Sequence, residues 1–181
     1  MTDPLPDVGR PGVRSAVLGR PAPDFVLTDT HGSPVRLTDL RGAPAVVVFV
    51  PFAFSGICTG ELCELRDNLD VFRSAGVRLV VVSCDPVHAL RAWGEAEGYP
   101  FDLLSDFWPH GAAATAYGVF DAERGRALRG SFLVDADGVV RWSVVNPAGQ
   151  ARSLDGYRTA LAGLAPRPGP GSADRQAAPA R

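Results

Sequence analysis

The chain has 181 residues, of which 46% are hydrophobic and 21% charged, with a formal net charge of −2. That length suits one domain with a sizeable core and is short for two. The near-neutral balance argues against a nucleic-acid partner, and no apolar run reaches the roughly 18 residues of a membrane span.

The first segment, 1–17, carries Pro4, Pro6 and Pro11 among glycine and charge. It reads as disordered and lacks the apolar stretch of a secretory signal, so a cytoplasmic protein is expected. The last segment, 166–181, is Pro-, Gly- and Ala-rich and reads as a second disordered tail. The ordered domain is expected over 18–165.

Within it, 25–27 reads as a short strand, followed by a turn at Thr30, His31, Gly32 and Ser33 and a partner strand at 35–37. The β-branched run 45–50 does not alternate, which marks a strand buried on both faces. Residues 56–72 read as one helix, with Leu62, Leu65, Leu69 and Phe72 at three- and four-residue spacing. A second buried strand follows at 77–83, then a helix at 86–98 with Pro86 in its first turn. A short strand at 101–104 and a helix at 109–117 come next. The runs 128–134 and 139–145 form a hairpin across the Asp135-Ala136-Asp137-Gly138 turn, and 154–164 closes the domain as a helix. This order predicts an α/β fold, thioredoxin-like, with a central mixed β-sheet flanked by helices.

The chain has three cysteines, Cys58, Cys63 and Cys84. Their odd, small number argues against a disulfide framework and leaves reactive or packing thiols. His31, His88 and His110 are scattered singly, and no Cys/His pair has metal-site spacing, so no metal is expected. Cys58 falls where the central strand ends and a helix begins, the end of an α/β sheet at which ligands bind. Unpaired N–H groups and the positive end of the helix dipole stabilise an anion there, which favours a thiolate. Ser55 is placed to cap that helix, and Pro51 restricts the loop before it. Taken alone, the same position suits an inert core cysteine.

Pro51-Phe52-Ala53-Phe54-Ser55-Gly56-Ile57-Cys58 resembles the peroxiredoxin active-site motif Pro-x-x-x-Thr/Ser-x-x-Cys. Pro21-Ala22-Pro23-Asp24-Phe25, Asp39-Leu40-Arg41-Gly42 and Arg129-Gly130-Ser131-Phe132-Leu133-Val134-Asp135 resemble other segments of that family, in the same order. Gly56-Ile57-Cys58-Thr59-Gly60-Glu61-Leu62 and Ser105-Asp106-Phe107-Trp108-Pro109-His110-Gly111 are most similar to its alkyl hydroperoxide reductase E group. The resemblance implies a thiol-dependent peroxidase in which Cys58 is the peroxidatic cysteine. Arg129 would point its guanidinium at thiolate and peroxide, Ser55 would hydrogen-bond the peroxide, and Pro51 would shield the sulfur. Glu61 would hold Arg129. No cofactor is implied, because fixed donors along the S···O···O axis suffice to stabilise the developing charge. The product would be a sulfenic acid on Cys58.

Cys58 and Cys63 are spaced C-x4-C, as in the bacterioferritin-comigratory-protein group, where the second cysteine resolves the sulfenic acid. In an intact helix those five residues rise about 7.5 Å and turn a net ~140°, beyond disulfide reach, so resolution demands local unwinding. Cys63 is a candidate resolving cysteine, with a helix-packing cysteine as the alternative. Cys84 reads as a packing thiol. Hydrogen peroxide and organic hydroperoxides are the expected substrates. Thioredoxin, a glutaredoxin-like protein or a small thiol is the expected reductant. A homodimer is implied near Trp108-Pro109. A peroxide sensor that hands its oxidation to a partner protein is the rival reading. A disulfide reductase is disfavoured because C-x-x-C is missing.

Overall fold

The computed structural model describes residues 17–147 and 149–164. Of the segments 1–17 and 166–181, expected to be disordered, 1–16 and 166–181 lie outside the described residues, while Val17 is described and belongs to the ordered domain. Val17 and Leu18 pack against the domain core.

The strands are β1 (Val26–Asp29), β2 (Pro34–Arg36), β3 (Ala45–Phe49), β4 (Arg78–Ser83), β5 (Asp102–Ser105), β6 (Phe120–Asp121), β7 (Arg126–Ala127), β8 (Arg129–Val134) and β9 (Val140–Asn146). The helices are α1 (Gly56–Asp67), α2 (Leu69–Ser74), α3 (Val87–Glu97), α4 (Ala112–Ala116) and α5 (Leu154–Ala162). Seven strands form one mixed sheet in the order β2-β1-β5-β4-β3-β8-β9, and β6-β7 make a separate small pair. β3, β4 and β5 run parallel, through the helical crossovers that parallel strands require. β1 and β8 flank them antiparallel.

The central strand is buried along its whole length because helices cover both faces of the sheet. Val46, Val48 and Val50 point into a cluster with Leu62, Leu65, Phe72, Trp93 and Tyr157, from α1, α2, α3 and α5. Ala45, Val47 and Phe49 point the other way, towards Tyr117 just past the end of α4 and Leu37 and Leu40 of a short 3-10 helix. The expected thioredoxin-like α/β sandwich is therefore observed. No described helix is long and apolar enough to cross a membrane.

Several local expectations need correction. The single helix over 56–72 is two helices, broken at Asn68 (φ −115°, ψ 22°), whose side-chain amide donates to the Glu64 carbonyl at 2.9 Å. Leu69 and Phe72 stay buried across the break, so apolar spacing alone does not reveal it. The helix over 109–117 contracts to α4, with left-handed Gly111 at its N-cap (φ 69°). Pro86 caps α3 from outside rather than sitting in its first turn. Leu37 leaves the expected strand at 35–37 to start the 3-10 helix, and the β6-β7 pair has no counterpart in the sequence reading.

Candidate active site

The C-terminal end of β3 carries the site. Past Phe49, the Val50 N–H still donates to the Val82 carbonyl at 3.0 Å, so the chain follows β4 up to buried Pro51. The loop then leaves the sheet under restraint. The Asp85 carboxylate accepts from the Ala53 N–H at 2.7 Å and from the Ser83 hydroxyl at 2.5 Å. Phe54 takes a left-handed backbone (φ 60°), sparse for a residue with a Cβ. Its ring, 57% exposed, leans on Trp93 at 6.2 Å between centroids.

Ser55 is the N-cap of α1, as expected, and its Oγ accepts from the Cys58 N–H at 3.4 Å. Cys58 lies in the first turn, fully buried on the α1 face that meets the sheet. The strand register places Arg129 nearby. Val48 pairs with Ser131, so continuing the antiparallel register two residues sets Arg129 opposite Val50, just before Pro51.

Arg129 is 2% exposed and donates to Glu61 Oε2. Glu61 is itself 5% exposed and is shared with a second guanidinium, that of Arg152, which the sequence reading missed. The Arg152 backbone N–H and Nε donate to Glu61 Oε1 at 2.6 and 3.0 Å, and Nη2 donates to Oε2 at 3.0 Å. Nη1 reaches the Phe49 and Gly130 carbonyls at 2.8 and 2.9 Å and Ser131 Oγ at 3.2 Å. Ser131 Oγ is 2.6 Å from the Tyr157 hydroxyl. Burial works to lower the Arg152 pKa, but Tyr157, Glu61 and Cys58 outweigh it and hold the group charged. Two buried guanidinium groups share the Glu61 carboxylate here, and both favour negative charge on a group placed beside them.

Cys63 is half-buried and points elsewhere. Its Sγ donates to Glu97 Oε2 at 3.6 Å, near the C-terminal end of α3, and Arg66 donates to the Glu97 carbonyl. Tyr99 is adjacent; burial and then Cys63 push its phenol pKa up. The two thiols of α1 thus face different neighbours. Cys84 packs in the cluster on the opposite face of the sheet from Cys58, where burial pushes its pKa up to about 12. His110 joins its loop to the β6-β7 turn through Nε2, 2.7 Å from the Gly125 carbonyl, and His31 and His88 are exposed. Among the described residues no three His, Cys, Asp or Glu side chains are grouped to hold a metal ion.

A sequence profile of the AhpC/TSA family matches residues 18–143. The chain is 43% identical over 148 residues to alkyl hydroperoxide reductase E of Mycobacterium tuberculosis, covering 81% of this chain and 97% of that one. It is 32% identical over 151 residues to thioredoxin peroxidase of Echinococcus granulosus, covering 78% and 77%. Among solved structures it is similar to peroxidoxin BcpB from Mycobacterium tuberculosis, with TM-score 0.70, 31% identity and coverage of 80% and 94%.

Proposed function

The chain belongs to the AhpC/TSA family and is a thiol-dependent peroxidase, and from that premise we propose that Cys58 is the thiol that attacks the peroxide. The observation that carries this reading is the position of Cys58, fully buried in the first turn of α1 and near enough to Arg152 to act on its charge, beside the buried Arg129–Glu61–Arg152 cluster. The thiolate attacks one peroxide oxygen, the S–O bond forms as the O–O bond breaks, and the leaving alkoxide or hydroxide takes a proton. Sulfur is oxidised by two electrons to a sulfenic acid, and the peroxide is reduced by two.

Arg129 supplies a permanent cation to the peroxide oxygens, and Glu61 holds it there. Ser55, while accepting from the Cys58 N–H, keeps its own hydroxyl hydrogen for the substrate. Pro51, buried beside the loop, keeps water from the sulfur. Cys63 then resolves the sulfenic acid as a disulfide. An external thiol (thioredoxin, a glutaredoxin-like protein or a small thiol) reduces the disulfide. The exposed rings of Phe52 and Phe54 at the loop support organic hydroperoxides as substrates beside hydrogen peroxide. The odd number of cysteines supports a reducing, cytoplasmic setting. The exposed Phe107 and Trp108 support a homodimer.

Stopped-flow oxidation with product masses tests the assignment. With one equivalent of hydrogen peroxide, wild type is expected to end as an intramolecular disulfide, Cys63→Ser as a sulfenic acid and Cys58→Ser unreacted. Rapid oxidation of Cys58→Ser would remove Cys58 from its role. A persistent sulfenic acid in wild type would remove Cys63.

A further inference from the structure

On the reading that Cys63 resolves Cys58, the two sulfurs must meet although α1 holds them apart. Three fixed points bear on how. The Asp85 carboxylate holds the loop at the Ala53 N–H. Glu61 is locked between Arg129 and Arg152 in the buried cluster. Beyond it, Cys63 and Arg66 are tied to Glu97. Unwinding α1 past Glu61 would strip two buried guanidinium groups of their carboxylate, a cost that confines the opening to residues before it.

Gly60 is the residue immediately before that clamp. It lies inside the helix and is exposed, and a Cβ there would meet no atom within 4 Å. Neither packing nor a positive φ asks for glycine, yet glycine is the weakest non-proline helix former. We infer that Gly60 is the hinge of the resolving step: residues 56–60 unwind between the Ala53 tether and the Glu61 clamp, while Glu61 to Cys63 stay in place.

The reach works. With Glu61 held, the three links back to Cys58 span up to about 10 Å, enough to bring the two Cα atoms within the ~4.4–6.8 Å of a disulfide. The opening gives up the Thr59 N–H bond to the Ser55 carbonyl at 2.9 Å and the helical bonds that the carbonyls of residues 56–60 accept, and no bond beyond the second turn of α1. The first-turn N–H groups have no helical partner, and the Ser55 cap on Cys58 is long at 3.4 Å. The Trp93 Nε1 bond to Thr59 Oγ1 at 3.2 Å and the burial of Cys58 resist it as well. Once Cys58 swings out, the Cys63 sulfur attacks the Cys58 sulfur. The S–S bond forms, the S–O bond breaks, and the oxygen leaves as water with the thiol proton; the oxidising equivalents are those the peroxide supplied.

The test compares the full-length wild type with Gly60→Ser and Gly60→Ala, since helix propensity rises from Gly through Ser to Ala. After mixing with hydrogen peroxide, quenched samples are read by mass for sulfenic acid and disulfide. Sulfenic acid formation is expected at one common rate. Disulfide formation is expected about fivefold slower in Gly60→Ala and intermediate in Gly60→Ser, with more overoxidised chain at excess peroxide. Equal disulfide rates in the three chains, or an equal slowing of the sulfenic step, overturn the hinge alone. A wild type that forms no Cys58–Cys63 disulfide overturns the role of Cys63 and the hinge with it.

Discussion

Arg152 is 4% exposed, yet every donor it carries towards the cluster finds an acceptor: both Glu61 oxygens, two strand carbonyls and a serine hydroxyl. It ties the end of β3, the start of β8 and the middle of α1 to one planar group. Arg152→Met removes the charge and leaves the Phe49 and Gly130 carbonyls without that donor. Glu61 keeps its pairing with Arg129, so we expect a stability loss of about 1–3 kcal/mol in urea unfolding, the cost of leaving buried acceptors unsatisfied. The peroxide step should slow with it, because Glu61 then fixes Arg129 less firmly. Arg152→Lys keeps the charge but not the fork, and should fall between the two; a Met variant as stable as wild type would refute the role. The residues of the site were not equally visible in the sequence. Pro51, Ser55 and Cys58 could be read because a strand end, a cap and a helix start are local patterns. Arg129 emerged only through resemblance to a family. Arg152 gave no signal, because an arginine in a polar loop looks solvent-facing and its carboxylate lies 91 residues away in the chain.

At the scale of elements, the loop between β3 and α1 depends on the turn after β4. Asp85 follows that strand, and its carboxylate accepts from the Ala53 N–H at 2.7 Å. Asp85→Ala should therefore free the loop without touching α1 itself. Hydrogen exchange at the Ala53 amide should speed up, and stability should fall by about 1.5–3 kcal/mol, the scale of a hydrogen bond to a charged group. Peroxide reduction should slow about tenfold or more, since a loosened loop misplaces Pro51 and Ser55 around the sulfur. Unchanged exchange at Ala53 would show that the tether does not restrain the loop. The elements themselves were readable where one physical rule dominates. β3 and β4 are unbroken apolar runs because both sheet faces are covered, and α3 stops at Gly98, which takes φ 64°. The reading failed where a distant group decides. The start of α4 is set by Asp106, whose two oxygens accept from the Ala113 and Ala114 N–H groups at 3.0 and 2.9 Å, and no periodicity encodes that. The two-residue strands β6 and β7 are too short to show any period at all.

For the whole molecule the question is what covers the aromatic surface beside the site. Trp108 is 83% exposed and Phe107 49%. Their loop is firmly held: Asp106 anchors its far side to α4, and His110 sits between the Phe107 and Gly125 carbonyls while its ring packs edge-on against Phe107 and Phe120. The β6-β7 pair that Gly125 joins carries Arg126, whose guanidinium lies 5.4 Å from the centre of the Phe52 ring in the active-site loop. Large rings displayed on a fixed scaffold mark a contact surface, since a soluble monomer rarely leaves such groups together in water. A second copy of the chain is the expected occupant. Light scattering should give a dimer for wild type at micromolar concentration and a monomer for Trp108→Asp, and a monomeric wild type would refute the interface. Because the β6-β7 turn holds His110 at Gly125 and sets Arg126 over Phe52 in the loop that shields Cys58, the monomeric variant should hold that loop less tightly. It should then form the Cys58–Cys63 disulfide faster than wild type while reacting more slowly with peroxide. That opposite pair of changes would distinguish a dimer that steadies the site from one that merely assembles beside it.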